Sequence, residues 1–110
     1  MGFALIMELS VFEKAVLEAA RKVPRGRVTT YGEIARLLGR LKAGRAVGNA
    51  LNKNPYAPVV PCHRVVNGTG GIGGFNKGVK AKVKILASEG VKVKNGKVVN
   101  FKEVVYYWES

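Results

Sequence analysis

Cysteine and histidine are nearly absent from this sequence of 110 residues, which contains one of each, adjacent to one another as Cys62 and His63. A single cysteine cannot form a disulfide within the chain, so nothing indicates an oxidising compartment. One cysteine and one histidine are also too few to build a structural zinc site. The sequence therefore excludes a disulfide-stabilised scaffold and a zinc-folded module.

Long apolar runs are missing as well. The apolar start, residues 1–7, is too short for a signal peptide with its flanks or for a membrane span. A content of 47% hydrophobic and 24% charged residues is typical of a globular chain and not of a disordered one. The length suits one domain with one core. We therefore expect a cytoplasmic protein that does not act at a membrane.

Negative charge is the third scarcity, with 7 acidic residues against 19 lysines and arginines and a net charge of +12. The imbalance is concentrated in residues 21–97, where seventeen basic residues accompany only Glu33 and Glu89. A basic middle between more acidic ends favours one positive face and a polyanionic partner. A lysine-rich solvated surface is the alternative, but a basic chain without a membrane helix favours nucleic acid.

Two helix starts are visible in the first third of the chain. Ser10 and Glu13 stand at capping-box spacing before an apolar periodicity that predicts a helix of about 12 residues. Thr30 and Glu33 form a second box and predict a shorter helix that ends at Gly39. A further helix is predicted from about residue 43 to residue 53. The last two helices, joined by a short Gly-containing connection, resemble a helix-turn-helix.

The last third of the chain predicts one more helix, over about residues 79–90, and then a β-hairpin. Residues 91–94 and 97–99 alternate in polarity around Asn95-Gly96, which is a two-residue turn signal. We expect the aromatic tail, residues 101–108, to cover the core. The predicted fold is mainly α (α+β), one small domain over residues 1–110 with a winged-helix-like helix-turn-helix and a short hairpin. Residues 1–9 form an N-terminal extension, and residues 91–110 form the hairpin and tail.

The adjacent Cys62 and His63 allow two interpretations. A thiol beside a side chain that titrates near neutral pH is a candidate activated nucleophile, because the thiolate is the reactive form. In an extended segment, however, neighbouring side chains point to opposite faces, so His63 reaches the thiol only through a bend or a bridging water. A buried, inert cysteine is the other interpretation.

The stretch Pro61-Cys62-His63-Arg64-Val65 resembles the signature of the O6-alkylguanine-DNA alkyltransferases, the methylated-DNA–protein-cysteine methyltransferases. Further segments resemble the same family at fitting separations, and together they cover about residues 10–90. These segments are residues 30–35, residues 45–48, Asn54-Pro55 and Ser88-Glu89-Gly90. The resemblance favours the activated-nucleophile interpretation of Cys62.

The resemblance implies a single-use transfer of the alkyl group from O6 of guanine to Cys62, with no cofactor and no metal. Glu89 would orient His63, which would take the Cys62 proton through a water. Tyr31 would protonate the departing guanine, and Asn54 would act as a hinge. The partner is double-stranded DNA carrying O6-alkylguanine, and DNA binding would place the protein on the nucleoid.

The family also implies which residues contact the DNA and the base. The nucleotide must leave the stack, and Arg45 would fill the vacated place while the slim Gly- and Ala-rich helix enters the minor groove. The expected DNA-binding residues are Arg45, Thr30, Tyr31, Ala46, Gly48 and Arg64. The expected pocket and lid residues are Val65, Gly73, Phe75, Asn76 and Lys77.

Two departures from the family pattern leave alternatives open. The chain resembles the single-domain alkyltransferase-like proteins in length and in its terminal hairpin, yet those proteins typically lack the cysteine that this chain has at Cys62. Asn76 and Lys77 replace smaller lid residues, which puts acceptance of bulky alkyl groups in question. A second hypothesis is therefore a non-enzymatic sensor of alkylated DNA that recruits other repair proteins. A third is a helix-turn-helix regulator, against which the slim third helix argues.

Overall fold

The computed structural model describes residues 10–54, 60–74 and 78–109, so the predictions made for residues 1–9 and for Phe75, Asn76 and Lys77 lie outside the described residues. The elements follow the order α1 (Val11–Arg21), β1 (Thr29–Thr30), α2 (Tyr31–Leu37), α3 (Gly44–Asn52), a 3-10 turn (Cys62–Arg64), β2 (Val65–Val66), α4 (Val79–Ser88), β3 (Val93–Lys94), β4 (Lys97–Val98) and α5 (Phe101–Val104). The predicted fold class, mainly α with a small β part, is confirmed.

The two short sheets have different roles. Strands β1 and β2 pair in parallel, with Thr29 opposite Val65 and Thr30 opposite Val66. Because β1 runs directly into α2 and β2 directly follows the 3-10 turn, this pairing brings the cysteine segment beside the start of α2. Strands β3 and β4 form the predicted hairpin. Its turn residues Asn95 and Gly96 both have positive φ, 53° and 75°, as a two-residue hairpin turn requires.

The capping box predicted at Ser10 and Glu13 has both of its hydrogen bonds, whereas the one predicted at Thr30 and Glu33 has only one. Ser10 Oγ accepts from the Glu13 amide at 3.0 Å, and the Ser10 amide donates to Glu13 Oε1 at 2.9 Å. Thr30 Oγ1 likewise accepts from the Glu33 amide at 2.9 Å. The Glu33 carboxylate, however, does not return to Thr30, because it accepts from Arg36 and from the Trp108 amide. The reciprocal half of the second capping box was therefore wrong.

The core has two parts that meet at the cysteine segment. The first is built from α1, α2 and α3 and includes Val60, Cys62 and Val65. The second lies under the hairpin and α4. The chain's end covers the first part as predicted, since Trp108 packs against it, whereas Tyr107 remains 60% exposed. Val105 also bridges to Val28 in parallel, so the tail extends the β1–β2 pair.

None of the described helices is both long enough and apolar enough to cross a lipid bilayer.

Candidate active site and nucleic-acid interface

Cys62 is a free thiol at the first position of the 3-10 turn, and its side chain is 7% exposed. Its amide donates to the Val60 carbonyl at 2.9 Å, and the Arg64 amide donates to the Pro61 carbonyl at 2.9 Å. These bonds close the turn that follows the proline. The turn supplies the bend that an extended segment would lack, so Cys62 and His63 need not point to opposite faces.

His63 is held by Glu89, which lies 26 residues further along the chain at the C-terminal end of α4. His63 Nε2 stands 3.0 Å from Glu89 Oε1, and the two side chains are 3% and 8% exposed. A carboxylate only accepts, so Nε2 carries the proton in this pair and Nδ1 of the neutral ring is left as an acceptor. The arrangement leaves His63 able to take a proton at Nδ1.

Burial favours the neutral form of His63 at physiological pH. Burial lowers the pKa of His63 below its ordinary value of 6.5, and the hydrogen bond and charge of Glu89 offset part of that effect. For Glu89, burial raises the pKa, but hydrogen bonds from Arg64 and His63 outweigh it and leave the pKa below its ordinary value. A neutral imidazole beside a charged carboxylate is the arrangement of a general base with an orienting partner.

Arg64 completes this cluster from within the protein. Its Nε and Nη2 donate to the two oxygens of Glu89 at 2.9 and 2.7 Å, and its Nη1 donates to the Val23 carbonyl at 2.8 Å. The side chain is 15% exposed. All three guanidinium nitrogens are therefore engaged inside the fold. Its bidentate pairing with Glu89 holds the Arg64 guanidinium in this cluster, and contact of Arg64 with DNA stays a prediction.

Tyr31, the first residue of α2, lies between the glycines of α3 and the loop after β2. A Cβ added at Gly44 or Gly48 would stand 3.9 or 3.8 Å from Tyr31 carbon atoms. A Cβ added at Gly73, whose φ is +70°, would stand 2.9 Å from the Tyr31 hydroxyl. The glycines of α3 therefore lie next to Tyr31, and an added methyl group at either would make an ordinary van der Waals contact with it. Burial raises the pKa of Tyr31, and the charge of Cys62 raises it further, so the phenol stays protonated.

Lys82 is the residue that the sequence analysis missed. Its side chain is fully buried, and its Nζ donates to the carbonyls of Val65 and Gly74 at 2.7 and 3.1 Å. The same Nζ lies 5.9 Å from the centre of the Tyr31 ring. Burial lowers the pKa of Lys82 to about 8, against a smaller opposite effect of the Cys62 charge. The only signal was its spacing of four residues before the buried Leu86, which places it on the inward face of α4.

A groove of about 490 Å³ opens beside Tyr31. One wall is the exposed face of α3 and the other is the loop around β2. The groove also includes asparagines that the sequence analysis had not named. The residues that line it are Tyr31, Gly44, Arg45, Gly48, Asn49, Asn52, Asn67, Gly68 and Gly74. Arg45, Gly48 and Tyr31 are thus brought together at one groove, and Tyr31 also packs against the part of the core that contains Cys62.

Of the other residues expected at the site, Asn54, Thr30 and Val65 are buried and Ala46 is exposed. Asn54 is buried, and its Nδ2 donates to the Val60 carbonyl at 2.8 Å, which joins the end of α3 to the cysteine turn. Thr30 is buried as the cap of α2, and its hydroxyl oxygen accepts from the Glu33 amide. Ala46 is exposed on α3. Val65 is buried, and its carbonyl accepts from Lys82.

Comparison with known proteins agrees with this arrangement. Residues 11–91 match the family described as 6-O-methylguanine DNA methyltransferase, DNA binding domain. A methylated-DNA–protein-cysteine methyltransferase of Methanosarcina acetivorans is 45% identical over 86 residues, which are 78% of this chain and 55% of that protein. The chain spans about half the length of the curated relatives it matches.

Two solved structures with bound DNA resemble the fold. Mycobacterium tuberculosis OGT in complex with DNA has a TM-score of 0.72 at 39% identity and covers 74% of this chain and 51% of its own. S. pombe Atl1, solved with damaged DNA containing O6-carboxymethylguanine, has a TM-score of 0.78 at 32% identity and covers 94% of this chain and 100% of its own.

The fold and site define a domain of the DNA-binding class that the family model describes, and this domain has a free, buried thiol. More particularly, the chain belongs to the O6-methylguanine-DNA methyltransferase family, as its match over residues 11–91 and its 45% identity to a curated member show.

Proposed function

We propose that this chain repairs O6-alkylguanine in double-stranded DNA by transferring the alkyl group irreversibly to Cys62. The observation that carries the proposal is the buried thiol of Cys62 followed directly by a neutral His63 that Glu89 holds at 3.0 Å. In this proposal the Cys62 proton passes through a water to His63, and the thiolate attacks the alkyl carbon. An S–C bond forms while the C–O6 bond breaks, and the resulting thioether does not return the thiol.

The leaving guanine needs a proton, and Tyr31 is placed to give it. Burial keeps the phenol protonated, and the ring is fixed between the glycines of α3 and Gly73. In this proposal His63 then passes the proton that it took from Cys62 to Tyr31. Overall, the thiol proton of Cys62 replaces the alkyl group on guanine. Asn54 acts as the hinge that holds the cysteine turn to α3 through the Val60 carbonyl.

The DNA would bind along the groove, with α3 in the minor groove and the damaged nucleotide turned out of the stack. Arg45 is exposed at the groove and is the side chain we propose to fill the vacated place. Ala46 and Gly48 present a slim surface beside it. The proposed partner is double-stranded DNA, which places the protein in the cytoplasm on the nucleoid.

A damage sensor that binds alkylated DNA without transfer, and recruits other repair proteins, is the second candidate. The observation that favours it is the likeness to S. pombe Atl1, which has a TM-score of 0.78 at 32% identity and was solved with damaged DNA containing O6-carboxymethylguanine. Cys62 stands against it, because a sensor does not need a thiol next to a general base.

The test is the intact mass of the protein after incubation with a duplex that carries O6-methylguanine. We expect a gain of one methylene mass, mapped to Cys62, and none with undamaged DNA. The matched control is Cys62→Ala, which should bind the damaged duplex without gaining mass. Tighter binding to the damaged duplex by the native chain without any mass gain would establish the sensor and overturn the transferase.

A further inference from the structure

The hairpin formed by β3 and β4 presents three lysines on one face. Val93 and Val98 are cross-strand partners that pack into the second part of the core. Because side chains alternate along a strand, the residues beside them point the opposite way. Lys94 and Lys97 form the next cross-strand pair, and Lys92 lies on the same face. We call Lys92, Lys94 and Lys97 the hairpin face, and all three are exposed.

This face carries an unfavourable electrostatic arrangement. Lys94 and Lys97 stand directly opposite each other, and like charges at such positions destabilise a hairpin. Residues 91–99 contain no acidic residue. Among the described residues no carboxylate lies within ion-pair distance of the three ammonium groups, although Glu103 lines the same shallow cavity as Lys92. Uncompensated positive charge of this kind fits an anionic partner.

The hairpin is attached directly to a wall of the groove. The Ile72 amide donates to the Gly96 carbonyl at 2.9 Å, and the Val98 amide donates to the Gly70 carbonyl at 2.9 Å. Gly71 and Lys97 form an antiparallel bridge. The same loop contributes Asn67 and Gly68 to the groove. The hairpin is therefore joined by hydrogen bonds to the loop that forms this wall of the groove.

We infer that the hairpin face is a second DNA-contact surface, which binds phosphates of the duplex that flanks the lesion. This inference rests on the proposed binding of damaged DNA and adds a site outside the groove. Lysine ammonium groups recognise phosphate as point charges and carry no information about base sequence. The hairpin face therefore adds affinity for any duplex and leaves the preference for the lesion unchanged.

The test compares two triple variants that lose the same charge. One is Lys92→Gln/Lys94→Gln/Lys97→Gln in the hairpin face. The other is Lys14→Gln/Lys22→Gln/Lys102→Gln, which removes three exposed lysines from outside the hairpin. Binding to matched duplexes with guanine or O6-methylguanine is measured by fluorescence anisotropy over a range of salt concentrations. Each lost phosphate contact should reduce the slope of log K against log salt by about 0.9.

We expect the hairpin variant to lose about two to three units of slope on both duplexes, with the ratio between damaged and undamaged DNA unchanged. The control variant should lose less than about one unit. Replacing the same three hairpin lysines by arginine should keep the native slope. The glutamine variant should not melt at a lower temperature than the native chain, because it removes the Lys94–Lys97 repulsion.

Equal slopes for the two glutamine triples would overturn the inference while leaving the proposed function intact. A native chain that transfers the methyl group to Cys62 would confirm in the same samples that the groove is functional. A native chain that binds neither duplex would overturn the proposed function and the inference together.

Discussion

His63 and Glu89 form a pair in which Nε2 of the imidazole lies 3.0 Å from Oε1 of the carboxylate, and both side chains are more than nine-tenths buried. The 3-10 turn supplies the histidine and the end of α4 supplies the carboxylate. Packing of α4 against the turn therefore fixes the imidazole that we propose as the proton acceptor.

Glu89→Gln should destabilise the protein and slow alkyl transfer. The change removes the negative charge that accepts two hydrogen bonds from Arg64 and one from His63, and breaking a buried ion pair of this kind costs about 3 kcal/mol. Urea unfolding and the rate of methyl transfer are the measurements. Glu18→Gln is the matched control, because Glu18 pairs with Arg21 at the surface and should change the unfolding free energy by less than about 1 kcal/mol.

The lowered pKa of Glu89 also predicts that the protein loses stability in acid. The pKa of Glu89 is lower in the folded chain than in the unfolded chain. The charged carboxylate therefore stabilises the fold fully at a pH above the unfolded pKa, and this stabilisation is lost as the pH falls through the folded pKa. The native chain should therefore lose more stability than Glu89→Gln below about pH 4. An equal loss of stability in the native chain and in Glu89→Gln would contradict a stabilising ion pair at Glu89.

The rate of methyl transfer should rise with pH and reach half its maximum below pH 6.5. Burial lowers the pKa of His63 below that value, so the imidazole becomes neutral, and able to take the Cys62 proton, at a lower pH than a free histidine. Single-turnover transfer measured from pH 5 to 8 would show the midpoint, with about tenfold less rate per pH unit below it. His63→Gln should be slow at every pH, and a native midpoint above 6.5 would contradict this role.

Gly73→Ala should destabilise the chain by about 1–3 kcal/mol. Gly73 has φ +70°, which L side chains rarely adopt, and its new Cβ would stand 2.9 Å from the Tyr31 hydroxyl. Gly74→Ala is the matched control in the next position, since, apart from its chain neighbours, no described residue has an atom within 4 Å of its added Cβ. Urea unfolding and transfer rates are compared for both variants. Equal effects would show that Tyr31 moves aside freely.

The stability of the native chain should rise between about pH 8 and pH 10.5 relative to Lys82→Met. The folded pKa of Lys82 is about 8 and the ordinary value is 10.5, so between them the unfolded chain binds more protons and a rising pH favours folding. The Met variant lacks this contribution. Lys84→Met, which replaces a lysine two residues away on the exposed face of α4, should keep the rise in stability with pH. Thermal melting at pH 7.5 and pH 10 gives the comparison, and equal shifts in Lys82→Met and the native chain would contradict the burial of a titrating Lys82.

The local elements could be predicted because their signals lie within a few residues. The capping box at Ser10 and Glu13 needs only four consecutive positions, and the hairpin needs only Asn95-Gly96 between alternating strands. The second box failed at Glu33, whose carboxylate is taken by Arg36 and by the Trp108 amide. That amide lies 75 residues away, so no local pattern could show the competition.

The residues of the candidate site also fall into those that the sequence predicted and those that only the structure shows. Cys62 and His63 were visible as the only cysteine and the only histidine, and the motif around them indicated the family and the pairing with Glu89. The pairing of Arg64 with Glu89 and the burial of Lys82 were not predicted, because in a basic chain each residue resembled one more surface cation. Charge counts do not tell which lysine is buried, and only the packing of α4 against β2 places Lys82 beside the Val65 carbonyl.

The sequence by itself determined the residue types and the local conformations: a lone thiol next to an imidazole, helix starts, turns and an excess of positive charge. The tertiary structure alone decided which charges are paired inside and which face outward. Burial removes water, so an arginine or lysine in the interior must find a carboxylate or carbonyl, as Arg64 finds Glu89 and Lys82 finds Val65. Lys94 and Lys97 stay in water, where such a partner is not required.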